Sequence, residues 1–280
     1  MKALGLIFDL SQFHEGVVLI RHTPERTAEL LALLTSILDS DALAPKDAGS
    51  LKGRIHYYES YVFGRVANIA IHRIGKRAQQ PPSCRQLDDE LRASLIFLRQ
   101  RVSEARPLEL RPDMSDHIMV FTDGSCEGTS AKDGVVGGVL YDHQGTPLIF
   151  FSEQVPSLLL DQFLGEAENP IYLIELLAVY LAMVLWGDRF RGRFVVYYID
   201  NEAARMALIK AYSSTKFGNC LIQLCIDLEC RFEWKPWYAR VPSHSNPADA
   251  PSRREFLHLL DAGATRTFVS WDNGIASIHV

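Results

Sequence analysis

Long apolar runs, cysteine pairs and repeats are what this sequence has least of, and each absence removes a class of protein. No uninterrupted apolar run reaches the roughly 20 residues that a bilayer-spanning helix needs, so no membrane partner is expected. The opening stretch MKALGLIFD is apolar only as far as Asp9, too short for the apolar core of a secretion signal. Five cysteines without a Cys-x-x-Cys pair suggest neither a disulfide framework nor a zinc ribbon. Cys220, Cys225 and Cys230 recur every five residues, a spacing that turns them about 140° apart on a helix, so they share no face. An intracellular, reducing compartment is expected, with nucleus and cytoplasm undistinguished. Internal repeats and low-complexity segments are absent from the sequence.

What is there is globular in kind. The 280 residues, 48% hydrophobic and 22% charged, suffice for one large domain or two modest ones. The net charge of −5 argues against a nucleic-acid partner until the chain is divided. Residues 1–110 hold 15 Lys+Arg against 13 Asp+Glu, residues 111–254 hold 13 against 18, and residues 255–280 hold 1 against 3. Within 52–77, Lys52, Arg54, Arg65, Arg73, Lys76 and Arg77 interleave with Tyr57, Tyr58, Tyr61 and Phe63. Such a stretch either neutralises phosphates and stacks on bases or is an amphipathic helix with its aromatics inward.

Pattern divides the chain near residue 110. Before it, a short hairpin precedes three expected helices. The first follows Thr23 and Pro24, the second spans about 45–77 with a kink near Gly64, and the third spans about 87–102. EARPLELRPDMSD, with Pro107 and Pro112, reads as a linker. After it come strands near 118–123, 135–142 and 147–155, a turn-rich stretch over 156–168, and a helix capped at Asn169 and running to about Gly187. A strand at 194–200, helices at 201–212 and 218–230, a strand at 233–241 and a helix after Asn246 complete the order. It predicts a mixed sheet with helices on its faces, the first, fourth and fifth strands parallel and central.

Two of those buried-looking strands end in a carboxylate, Asp123 and Asp200. A third acid, Glu175, interrupts the otherwise apolar NPIYLIELLAVYLAMVLW, and a fourth, Asp249, opens the late helix in VPSHSNPADAPSR. Each has an ordinary explanation: a turn after a strand, an exposed helical turn, a helix start. Together they form a set of hard oxygen donors with no His or Cys ligand set. Converging carboxylates stay ionised only with cations between them, and such donors favour Mg²⁺ or Mn²⁺. Two such ions suit displacement at phosphorus.

FTDGSCEG, ELLAVYLAM, YYIDNEAARMAL and PSHSNPADAPSR, with Gly137-Gly138 in the second strand, occur in the order and context of type 1 ribonuclease H, which the region 116–258 resembles. The ending NPADAPSR is similar to retroelement ribonuclease H domains. That resemblance implies an α/β fold, a ribonuclease H-like mixed five-stranded sheet flanked by helices. It also implies an enzyme hydrolysing the RNA strand of RNA–DNA hybrids. Asp123, Glu175, Asp200 and Asp249 would hold two Mg²⁺ ions, with Mn²⁺ an alternative. His244 would stand where the family has a mobile histidine aiding product release. Gly124, Ser125, Cys126 and Asn201 would contact the RNA strand and its 2′-hydroxyls.

Residues 1–110, small and mainly helical, resemble the thumb or connection segment of a retroelement reverse transcriptase, of the DIRS-like group. The matching features are LG after a short strand, the helix, and the L-x-G-R helix. No polymerase xxDD segment is present, so no DNA synthesis is expected from this chain alone, and the polymerase portion of the same polyprotein is an expected partner. The expected organisation is therefore 1–110, a ribonuclease H-like domain over 111–258, and a tail over 259–280. Two other readings remain open: a non-catalytic, nucleic-acid-binding remnant of a decayed element, and a 3′–5′ exonuclease of the same superfamily. The latter wants Asp-x-Glu where this chain has Asp123-Gly124-Ser125.

Overall fold

In the computed structural model, residues 1–60, 65–111, 117–127, 133–166 and 169–271 are described, and the chain falls into two units, Met1–Asp113 and Met114–Val280. In the first, β1 (Lys2–Ala3), β2 (Leu6–Asp9), β3 (Val18–His22) and β4 (Leu108–Leu110) form an antiparallel sheet in that order. The expected hairpin is β2–β3, with Leu6 opposite His22. The stretch expected as a linker instead supplies β4, which pairs with β3. The backbone groups on that side of β3 need partners, and Leu108-Glu109-Leu110 provides an alternating strand that supplies them.

The helices of this unit are α1 (Pro24–Ser40), α2 (Pro45–Ser60), α3 (Asn68–Ala78) and α4 (Asp89–Glu104). One long helix over 45–77 was expected; two are present, and the kink expected near Gly64 lies outside the described residues. Asp88 caps α4 by accepting from the Leu91 amide at 2.8 Å. Leu34 of α1, Leu51 and Ile55 of α2, Ile74 of α3, and Leu95 and Leu98 of α4 lie in one buried cluster. Each contributes about 1.5–3 kcal/mol over an exposed position. Two tyrosines of α2 are engaged within this unit. Tyr58 is buried with its ring 3.7 Å from that of His22, and the Tyr57 hydroxyl donates to the Leu4 carbonyl at 2.7 Å. Tyr58 is therefore no platform for a base; Tyr61 and Phe63 lie outside the described residues.

The second unit begins with β5 (Ile118–Glu127), β6 (Asp133–Tyr141) and β7 (Pro147–Gln154), followed by α5 (Ser157–Glu166) and α6 (Ile171–Phe190). Then come β8 (Phe194–Ile199), α7 (Glu202–Lys210), α8 (Lys216–Phe232), β9 (Lys235–Arg240), α9 (Asp249–Ser252), α10 (Leu257–Asp261) and β10 (Thr265–Arg266). The sheet order is β10-β7-β6-β5-β8-β9. β5, β6 and β7 are antiparallel; β8 runs parallel to β5, and β9 to β8. The sheet is thus mixed and helix-flanked as expected, with six strands rather than five. The sixth, β10, comes from the tail and lies parallel to β7. β9, expected to be central, is an edge strand. The stretch expected as turns over 156–168 carries α5, whose Leu159, Leu160 and Phe163 share a buried face.

Helix α6 corrects the reading of apolar runs: its 20 residues are long and apolar enough to cross a membrane by length and composition. In this fold 72% of its most apolar window is buried, which is how a helix that is apolar all round serves as a core element. Two glycines let helices close onto the sheet. A Cβ on Gly124 would lie 2.8 Å from Ile174 Cγ2 and 3.1 Å from the Glu175 backbone nitrogen of α6. A Cβ on Gly137 would lie 2.4 Å from the Ser252 nitrogen and 2.9 Å from the Ala248 carbonyl oxygen. Gly53 of α2, by contrast, has nothing within 4 Å of such an atom. Gly137→Ala is expected to cost at least about 2 kcal/mol and Gly124→Ala about 1–3 kcal/mol. Gly53→Ala should stabilise its helix by about 0.5–1 kcal/mol. Denaturant unfolding of the three variants checks this ordering.

Candidate active site

Asp123 was expected at the end of a strand, yet β5 runs four residues beyond it. The two neighbours of β5 explain the difference. Parallel pairing with β8 stops at Thr122 opposite Ile199, while antiparallel pairing with β6 continues to Glu127 opposite Asp133. Asp123 therefore stands where the parallel half of the sheet ends and the antiparallel half goes on. Asp200 follows the last residue of β8, so the same step in the sheet sets the two acids side by side. Glu175 arrives from α6, whose backbone comes close over Gly124. One carboxylate oxygen from each of Asp123, Glu175 and Asp200 lies within 4.8 Å of the others.

Burial makes this grouping electrostatically costly. Asp123 is 5% exposed and Glu175 3%, which excludes an exposed helical turn for Glu175. Desolvation, with Asp200 and Asp249 nearby, pushes Asp123 up to about 7, although a hydrogen bond from Ser252 opposes the shift. Desolvation, with Asp123 and Asp200 nearby, pushes Glu175 up to about 10; the backbone amide of Gly124 opposes it, and Glu175 shares a hydrogen bond with Asp200. Without cations the cluster is a proton-binding site at neutral pH.

Helix α9 closes the site from the other face of the sheet. The Asn246 side chain before it donates to the Thr122 carbonyl at 3.0 Å and accepts from the Ala248 amide at 3.1 Å. Ser152 Oγ donates to the Pro251 carbonyl at 2.6 Å, Ser125 Oγ to the Ser252 carbonyl at 2.6 Å, and Ser252 Oγ to Asp123 Oδ2. Asp249 is near enough to raise Asp123, but it lies outside the three-acid group and bonds Arg253 at 3.0 Å. His244 sits exposed in a single turn, Ser243–Ser245, and is not brought into the group.

Of the residues expected to meet a substrate, Gly124 is buried against α6 and Ser125 directs its proton into α9. Asn201 Oδ1 caps α7 by accepting from the Ala204 amide at 3.0 Å. Cys126 is half-buried, and burial with Asp133 nearby pushes its thiol up, so it is no thiolate nucleophile at neutral pH. Ser252, Arg253 and Asn246 are site residues that residue-by-residue reading missed. The signal was present in NPADAPSR, where Ser252 and Arg253 lie three and four residues after Asp249, on the same side of a helical turn.

The donor set suits a divalent ion. It offers oxygen alone, it is anionic, and one of its atoms, Glu175 Oε2, is buried with no hydrogen-bond partner. Among the described residues no other group of His, Cys, Asp and Glu side chains converges closely enough to share an ion.

No protein-family model and no curated protein matches the sequence. Solved structures do. A ribonuclease H1 from the halophilic archaeon Halobacterium salinarum is 16% identical with a TM-score of 0.40, over 51% of this chain and 98% of its own. The N-terminal ribonuclease H domain of a Mycobacterium tuberculosis protein is 13% identical with a TM-score of 0.41, over 54% and 100%. A foamy viral protease–reverse transcriptase is 15% identical with a TM-score of 0.30, over 86% of this chain and 37% of its own; the chain spans little more than a third of the viral protein. At these identities the likeness concerns fold alone. The second unit is an α/β fold with antiparallel β7-β6-β5, parallel β8 and β9, and helices on the sheet, and the solved structures it is similar to include ribonuclease H domains.

Both raised carboxyl groups hold protons in the folded protein that the unfolded chain has already released, since an unfolded carboxyl titrates near 4. Their stabilising contribution is complete below about pH 4 and is lost as pH rises, through about 7 for Asp123 and about 10 for Glu175. Metal-free protein should therefore lose thermal stability from pH 5 to pH 9. Millimolar Mg²⁺ should restore it at the alkaline end, and Asp123→Asn should flatten the decline between pH 5 and pH 7. Thermal unfolding across pH with chelator and with Mg²⁺ is the check.

Proposed function

We propose that the second unit is a divalent-ion-dependent nuclease hydrolysing the RNA strand of RNA–DNA hybrids, and that the chain belongs to a retroelement reverse transcriptase of the DIRS-like group. The observation that carries the reading is the convergence of Asp123, Glu175 and Asp200, two of them buried, at the step in the sheet. Such a cluster is unfavourable for stability alone, and its donors suit the hard cations used in phosphodiester hydrolysis.

Asp123, Glu175 and Asp200 would hold Mg²⁺, with Asp249 completing a second position and Mn²⁺ an alternative. Bound ions supply acidified water and neutralise charge on the phosphate. The chain's own residues do the rest. The rigid β5–β8 platform fixes the acids relative to one another, α9 holds Asp123 and Asp249 on one side, and α6 shields Glu175 from solvent. Residues 111–254 carry 13 Lys+Arg against 18 Asp+Glu, so a nucleic acid would not be drawn by diffuse positive charge and the ions would be part of its binding. Hybrid recognition would fall to groups beside the cluster: the backbone around Ser125 and Cys126, and the side chains of Asn201 and His244. The first unit would be the thumb or connection segment, and the polymerase portion of the same polyprotein the macromolecular partner. One of the compared structures, a ribonuclease H1 isolated from compost, is a complex with an RNA/DNA hybrid.

A labelled RNA–DNA hybrid incubated with Mg²⁺ tests this. The parent chain is expected to cut the RNA strand, with no cleavage under chelator. Asp123→Asn, Glu175→Gln and Asp200→Asn should each lose on the order of a thousandfold or more. His244→Ala should lose no more than about tenfold. A parent chain that binds hybrid without cutting it would support the non-catalytic remnant; equal cleavage by Asp123→Asn would refute the site.

A further inference from the structure

Ser252 is fully buried, 0% exposed, and ends the four-residue helix α9 that Asp249 opens. Its Oγ donates to Asp123 Oδ2 and lies 2.8 Å from the Asp249 carbonyl oxygen, so one hydroxyl touches both acid-bearing elements. Its backbone is held as firmly. The carbonyl accepts from Ser125 Oγ at 2.6 Å, and the nitrogen occupies the space that a side chain on Gly137 would need. A hydroxyl has a single proton to donate. Here it has two acceptors in reach, the Asp249 carbonyl of its own helix and the carboxylate that Asp200 and Asp249 repel.

Resting on the reading of the acids as an ion site, we propose that Ser252 is a positioning residue that fixes the rotation of the Asp123 carboxylate for ion binding. The torsion that rotates a carboxylate is broad, and a buried Asp beside two like charges lowers its energy by turning away from them. The Ser252 hydroxyl opposes that by anchoring Oδ2. Each carboxylate oxygen accepts at two positions, so the hydrogen bond leaves one position on Oδ2 and two on Oδ1 for cations. Groups that orient metal-binding carboxylates in this way typically alter ion affinity by about 10–100-fold.

The competing explanation is that Ser252 merely helps seat α9. Ser152 supplies the control, because its buried hydroxyl donates to the Pro251 carbonyl of the same helix at 2.6 Å without reaching Asp123. Isothermal titration of the full chain with Mn²⁺ alone, with no nucleic acid, should show about 10–100-fold weaker binding for Ser252→Ala and a change within about twofold for Ser152→Ala. Ser252→Cys, close in volume but a poor donor, should weaken binding likewise and serves if the alanine variant does not fold. Parent-like affinity in the Ser252 variants, or equal weakening by Ser152→Ala, overturns the proposal while leaving the ion site standing. Absence of Mn²⁺ binding by the parent overturns both.

Discussion

Repulsion among buried carboxylates is the constraint on which the second unit turns. Two acids at 5% and 3% exposure beside a third cannot all be ionised without a counter-charge, and the fold supplies little of one. Arg253 lowers Asp123 from a distance and is engaged with Asp249. What the fold supplies is rigidity. The acids ride on a central strand, on a largely buried helix and on the first residue past a second central strand, so they cannot relax apart without disturbing the core. A cation bound among them would restore the stability lost by grouping them and so couple folding to ion binding.

Rigidity here depends on missing side chains. Gly124 and Gly137 point to opposite faces of β5–β6, and at each a helix backbone approaches to where a Cβ would otherwise sit. The α6 approach carries Glu175 to Asp123; the α9 approach carries Asp249 and Ser252. These two contacts turn an ordinary helix-flanked sheet into a site with converging acids, and the hydroxyls of Ser125, Ser152 and Ser252 lock the second in place.

The strand–helix order of the second unit was legible in the sequence because apolar period and turn residues agree there. Asp123, Glu175 and Asp200 were legible because a carboxylate in apolar company is conspicuous. Less visible were features decided by tertiary neighbours. The sequence marked the end of β5 at Asp123, but β6 continues to pair and prolongs the strand. LEL looked like linker until β3 offered it a partner, and the 157–166 segment looked like turns because Pro156 and Gly165 mask a short apolar face. The helix expected over 45–77 is two helices, since apolar spacing alone does not fix helix ends. Ser252 carried no signal as a single residue; its role appears only once α9 is set against β5.

The short strand β10 has a consequence for the chain's behaviour among its copies. By lying beside β7 it occupies one margin of the sheet that would otherwise present unpaired amides and carbonyls. The opposite margin is β9, where Pro236 has no amide hydrogen, Lys235 adds charge, and the Arg205 guanidinium donates to the Tyr238 carbonyl at 3.2 Å. Sheets with open margins recruit further strands and aggregate. Residues 265–266 thus act as a seal against strand addition: a chain ending before Ala264 would keep its acids, yet lose Ala264 from the cluster with Val139, Phe150 and Leu259 and expose β7 to pairing with a neighbour.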